Sequence, residues 1–305
     1  MHRFTAPAAL TGLALAAAPL ASAELLLYEG FDYDTGTDSL VGESGGFGFG
    51  PTAYTEGGTA NNLQNAGVTA AANLVFSDFT ATGNVAQIQN NNNDSTDGDY
   101  KRHYATRLLP ALSITPGSTV YSSFLYRQEK DASFAHEAEL AFGDAAGGRD
   151  RLRQITVDLF DTNGADEVAV GYDSSTVLSG STPSANKQPL LFITRFENVN
   201  GTGNQTASMY VLSEADYDSI KAGGITQAEL DTLGAAATDT ATGVTFGTAD
   251  YLTLTTTTAF GIQNNSYFDE FRLFTDLDDL QAVPEPASAT LLAAGGLLAL
   301  RRRRR

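Results

Sequence analysis

The sequence predicts an all-β protein, a sandwich or jelly roll carrying one short helical insertion. Three observations lead there. Apolar residues recur at every second position, as in Val168, Val170 and Tyr172 or in Leu252 and Leu254, the period of a strand with one buried face. Stretches rich in Gly, Asn and Asp separate such segments at Asp144–Gly148, Asp161–Ala165, Asn198–Asn204 and Gln263–Ser266, and these residues favour turns. The body between the two unusual ends is near 260 residues, which suits one large all-β domain better than two small ones.

The elements follow in chain order. Residues 1–23 read as a secretory signal peptide: His2 and Arg3, an apolar run around Leu10–Leu20, then Ala21-Ser22-Ala23 before Glu24. Ala21 and Ala23 form the small-x-small pattern at which such leaders are cut. Residues 24–282 form the predicted β-sandwich domain. Ile155, Val157 and Leu159 continue the alternating pattern. Val120–Arg127, Leu190–Phe196, Ala207–Leu212 and Phe268–Phe274 are richer in apolar residues, as expected of central strands covered on both sides. Ser213–Leu233 breaks the period. Ser213 with Asp216, and Thr226 with Glu229, have capping-box spacing around Gly223-Gly224, so helical turns are expected there, on the rim of the sandwich.

The last segment, residues 283–305, has three parts: Val283-Pro284-Glu285-Pro286, fourteen uncharged residues (Ala287–Leu300), and Arg301, Arg302, Arg303, Arg304 and Arg305. The prolines lack N–H donors and keep their neighbours extended. A helix of the uncharged stretch would be only about 21 Å long, against a hydrocarbon core of about 30 Å. The arginines would hold that end on the cytoplasmic side. This order resembles the PEP-CTERM sorting signal of Gram-negative bacteria. The resemblance implies transient inner-membrane anchoring, processing by exosortase, a membrane-embedded cysteine transpeptidase, and delivery to the outer surface or extracellular matrix. An ordinary single-pass C-terminal anchor is the plainer alternative.

The body resembles the concanavalin A-like, laminin-G-like jelly rolls often found upstream of such tails. The residues carrying the likeness are Tyr28–Tyr33, Val120–Arg127, Leu190–Phe196 and Phe268–Phe274. It implies that the first and last strands pair and bring the two ends together.

Composition narrows the function. Without the two end segments, 12 basic side chains face 35 acidic ones, a net charge of −23. Nucleic acid and anionic membranes are therefore poor partners. There is no cysteine, which removes thiol catalysis and thiolate metal sites and leaves the core alone to hold an exported chain together. With no tryptophan among its residues, any sugar-binding platform must be built from Tyr or Phe.

Candidate chemistry is sparse. In Asn90–Tyr100, Asp94, Asp97 and Asp99 form a calcium candidate beside several Asn oxygens, although an EF-hand register starting at Asn93 puts Tyr104 where the bidentate Glu belongs. A solvated loop is the competing reading of that stretch, and the same choice applies to Asp32, Asp34 and Asp38. His136-Glu137-Ala138-Glu139 has Leu140 where a zinc helix needs its second histidine, and His136 and His103 are expected as unconnected surface residues. Glu137-x-Glu139 lacks the third carboxylate of jelly-roll glucanases, and Asp269-Glu270 is expected at an exposed edge, its side chains on opposite faces. The leading expectation is a non-catalytic surface or matrix protein with no required cofactor, structural or binding exopolysaccharide. A carbohydrate-active enzyme on the same scaffold is the alternative.

Overall fold

The structure, a computed structural model, describes residues 24–33, 39–58, 65–69, 74–79, 84–91, 101–130, 136–146, 152–158, 165–172, 177–183, 188–242, 245, 250–258 and 263–281. Within them lie two antiparallel sheets packed face to face. The larger has eight strands: β1 (Leu25–Glu29), β3 (Asn65–Thr69), β4 (Val85–Asn91), β6 (Ser118–Lys130), β11 (Leu190–Val199), β12 (Asn204–Leu212), β13 (Ala237–Thr242) and β15 (Gln263–Phe274). Their order is β13-β12-β11-β6-β15-β4-β3, with β1 also on β15. The second sheet runs β10 (Val177–Pro183), β9 (Ala165–Tyr172), β8 (Leu152–Asp158), β7 (His136–Gly143), β14 (Tyr251–Thr258), β5 (Lys101–Leu108) and β2 (Thr55–Gly58).

The main core lies between the sheets. Phe124, Phe192 and Phe268 meet Leu140, Phe142 and Leu254 there. A second apolar layer covers the outer face of the eight-stranded sheet. In it Tyr121, Ile193 and Tyr210 pack against Tyr217, Ile220 and Leu230. This accounts for the apolar run of the central strands: β6, β11, β12 and β15 bury both faces, so both are largely apolar, with buried polar residues such as Ser122, Thr194 and Arg272 among them.

The helical insertion forms with its capping boxes in place. Helix α1 (Glu214–Ile220) starts at Ser213, whose side chain accepts from the Asp216 N–H, and α2 (Gln227–Leu233) starts at Thr226, which accepts from Glu229. Gly224, at φ +84°, makes the break between them, a backbone conformation that favours glycine. The insertion is not on the rim. It supplies the second apolar layer, because the amphipathic turns carry Tyr217, Ile220 and Leu230 on one side. Gln263–Ser266, expected as a turn, is the start of β15 and pairs with both β4 and β6. Pairing on two sides overrides the local turn preference of Asn and Ser.

The first and last strands do pair, Tyr28 opposite Arg272 and Glu29 opposite Phe271. Just beyond the pair, the Glu24 N–H donates to Thr275 Oγ1 at 3.3 Å and the Thr275 N–H to the Glu24 carbonyl at 3.2 Å. Among the described residues no helix is long and apolar enough to cross a membrane.

Candidate functional site

β15 changes partners along one edge. It pairs with β4 over Gln263–Phe268 and with β1 over Phe271–Phe274. Asp269 and Glu270 occupy the gap, inside a bulge in the β15–β6 register, and Glu270 takes φ +53°. Where two neighbouring strands end, the backbone groups facing the gap need partners from side chains. Asp269 Oδ1 accepts from the Glu270 N–H at 2.8 Å. Arg272 donates to the Glu270 carbonyl at 3.1 Å and to Glu270 Oε2 at 2.5 Å. The Tyr28 hydroxyl donates to Glu270 Oε1 at 3.2 Å, with the Arg272 guanidinium 5.0 Å over the Tyr28 ring.

A second buried knot adjoins it. Glu29 Oε1 accepts from the Phe31 N–H at 3.0 Å, and Oε2 accepts from the Tyr33 hydroxyl at 2.6 Å and from Arg107 at 2.8 Å. Arg107 reaches on to the carbonyls of Gly45 and Gly50, tying down the glycine-rich loop, and stacks 4.4 Å over Phe49. A Cβ at Gly48 would stand 2.2 Å from the Leu26 carbonyl, so only glycine lets the loop lie this close to β1.

Burial sets the electrostatics. Asp269, Glu270, Glu29, Arg107 and Arg272 are all 4% exposed or less. Burial first, and then the neighbouring Glu270, push the Asp269 carboxyl well above the usual carboxylate range. Burial also raises Glu29, against the pull of Tyr33, Phe31 and Arg107, and it raises the Tyr28 and Tyr33 phenols. Burial thus favours the neutral form of Asp269 over its charged form.

Asp269 and Glu270 are therefore not an exposed edge. The bulge breaks the strict alternation on which that expectation rested. A legible clue was Arg272, two residues beyond Glu270 in a strand otherwise flanked by Phe. His103 is not on the surface either. It is 1% exposed, its Nδ1 2.9 Å from the Gln89 carbonyl and its Nε2 2.5 Å from Glu56 Oε1. Strand β5 alternates strictly, so the parity that turns Ala105 inward turns His103 inward as well. It stitches β2 and β5 to β4 of the facing sheet.

Glu137 and Glu139 share the outer face of β7, Glu139 buried, opposite Thr257 and Thr255 of β14. Arg102 donates to Thr255 Oγ1 at 3.2 Å and lies 4.9 Å over the Tyr104 ring. His136 belongs to β7 in register with Thr258. Among the described residues no group of three or more His, Asp or Glu is placed to hold a metal ion. Ala21, Ala23, the calcium candidates Asp94, Asp97 and Asp99, with Asp34 and Asp38, the motif Val283, Pro284, Glu285 and Pro286, and Arg301–Arg305 lie outside the described residues.

No family model matches the chain, and no curated protein does either. Among solved structures it is similar to the CBM2 module of the evolved Dit of Lactobacillus casei BL23 phage J-1, at 12% identity and TM-score 0.42, covering 83% of this chain and 97% of that one. The legume lectin-like domain from Entamoeba histolytica matches at 10% identity and TM-score 0.37, covering 73% and 90%. Domain 4 of a GH43 extracellular arabinanase from Geobacillus stearothermophilus, in complex with arabinotriose, matches at 13% identity and TM-score 0.35, covering 85% and 99%.

Proposed function

We propose that this is an exported surface or matrix protein whose concanavalin A-like jelly roll is non-catalytic cargo, held briefly in the inner membrane by Ala287–Leu300. An exosortase-type transpeptidase then processes it at Val283–Pro286. The observation that carries the reading is the placement of the two ends. Glu24, the first residue after the expected leader, is hydrogen-bonded to Thr275, and only eight residues separate Thr275 from Pro284. The whole sandwich is closed between two segments that read as addresses.

Support for a non-catalytic body comes from the carboxylates that the fold gathers. A glycosidase needs two that reach the scissile bond. Here Glu29 and Glu270 are already committed to guanidinium and phenol partners, and Asp269 to backbone, all beneath the surface. Polysaccharide binding is the second reading. It rests on the outer face of the seven-stranded sheet, where half-buried Arg102 lies over the ring of half-buried Tyr104, a pairing of aromatic face and polar donor suited to a sugar. Changing Pro284 and Pro286 to Ala in the full chain, in an exporting host, should leave the protein uncut in the inner membrane. Release at the unmodified rate would end the sorting reading.

A further inference from the structure

The body ends in a 3-10 turn, Leu277–Gln281, with Leu277 and Leu280 buried in the second apolar layer. From Leu280 to Pro284 the chain can span at most about 14 Å even when fully extended. An enzyme that cuts a chain takes it extended over several residues, and here the chain leading to the motif is fastened to the sandwich as far as Leu280. We propose that the turn is a releasable strap: it fastens the tail to the sandwich and must lift before Pro284-Glu285-Pro286 can enter the processing enzyme. This rests on the sorting reading above. Lifting it back to Asp276 doubles the free length, to about 28 Å.

The seat is built to be let go. Among the described residues its fastenings are Leu277 and Leu280, the Asp279 N–H to the Asp276 carbonyl at 3.0 Å, the Asp278 N–H to Asp276 Oδ1 at 3.1 Å, and Gln281 Nε2 to the Tyr217 hydroxyl. Against them stand three carboxyls within four residues, Asp276, Asp278 and Asp279. Asp279 Oδ2 is buried without a hydrogen-bond partner, a costly arrangement. Burial, then Asp276 and Asp278, raise the Asp279 carboxyl above its ordinary range. Beside the turn lies an open hollow of about 90 Å³, lined in part by Tyr217, Lys221, Ile225, Leu277 and Leu280.

The test is a pulse-chase of the full chain in an exporting host. Leu280→Ala weakens the seat, and a flexible Gly/Ser insert of about six residues after Gln281 supplies length without weakening it. Both should speed conversion of the uncut to the cut form by at least about threefold if strap release limits access. Cutting of the unmodified chain with both variants at its rate overturns the strap and leaves the sorting reading standing. An unmodified chain that is never cut overturns the sorting reading and the strap with it. Hydrogen exchange on the uncut protein gives a check independent of processing. The Asp278 and Asp279 amides should exchange at least about tenfold faster than those of Phe271–Phe274, and equal protection overturns the strap.

Discussion

Asp269 is a carboxylic acid whose neutral form the fold favours, and this has a sign that stability measurements can read. Its carboxyl is raised, so the folded state holds a proton that the unfolded chain has released. Stability therefore falls as pH rises from the ordinary aspartate range, near 4, towards the raised folded value, by up to about 1.4 kcal/mol per pH unit. Asp269→Asn keeps the oxygen that accepts from Glu270 and removes the proton dependence. Thermal melts between pH 4 and 8 should show the variant overtaking the parent as pH rises; an unchanged slope would refute the neutral acid. The neighbouring ion pair tests a different term. Arg107→Met leaves Glu29 buried with the Tyr33 hydroxyl and the Phe31 N–H but no counter-charge, which should cost about 3–5 kcal/mol in urea unfolding. Glu29→Leu with Arg107→Met should recover much of that loss, and a double variant as unstable as the single one would show that Arg107 matters mainly through Gly45, Gly50 and Phe49. Beyond Arg272 standing two residues after Glu270, this pairing was not legible in the sequence. Glu29 meets Arg107, and Glu270 meets Tyr28, across long sequence separations, while the local contacts of Asp269 and Glu270 depend on a bulge, and neither leaves a periodic trace. His103 was misjudged because Lys101 and Arg102 beside it suggested a solvated patch, whereas strand parity alone assigns it inward with Ala105.

At the level of elements, much could be read. The capping boxes at Ser213 and Thr226 stand as their spacing implied, since a cap depends on residues only three apart. Ser213→Ala and Thr226→Ala should each cost about 1 kcal/mol, measurable as a shift in the denaturant midpoint with an unchanged slope. A loss below a few tenths would mean that burial of Tyr217 and Leu230 alone positions the helices. Their place on the sheet was not readable. The choice between rim and face depends on β6 exposing an apolar outer surface together with β11 and β12, which follow it only at long sequence separation. The same limit explains Gln263–Ser266. Two Asn and a Ser read as a turn until β4 and β6 supply ladders on both sides.

The whole molecule is a strongly acidic shell around two apolar layers, and its charge sets which partners it can approach. A body at −23 repels uronate and sulfated polysaccharides over distances of about the Debye length, roughly 8 Å at physiological ionic strength. Neutral glycans meet no such barrier. The binding face put forward above carries Arg102 and Tyr104, but Glu137 and Glu139 share it, so it offers no basic stripe to overcome the field. On a polysaccharide array in chelator, the purified body (residues 24–282) should retain neutral glycans with little change between low and high salt. Acidic glycans should be retained only when calcium is supplied to bridge the charges, or when salt screens them. Retention of uronates in chelator at low salt, above that of neutral chains, would mean that a local cationic site outweighs the total charge. Flat binding to every glycan would leave the purely structural role, in which the same charge keeps neighbouring copies of the sandwich apart until matrix cations bring them together.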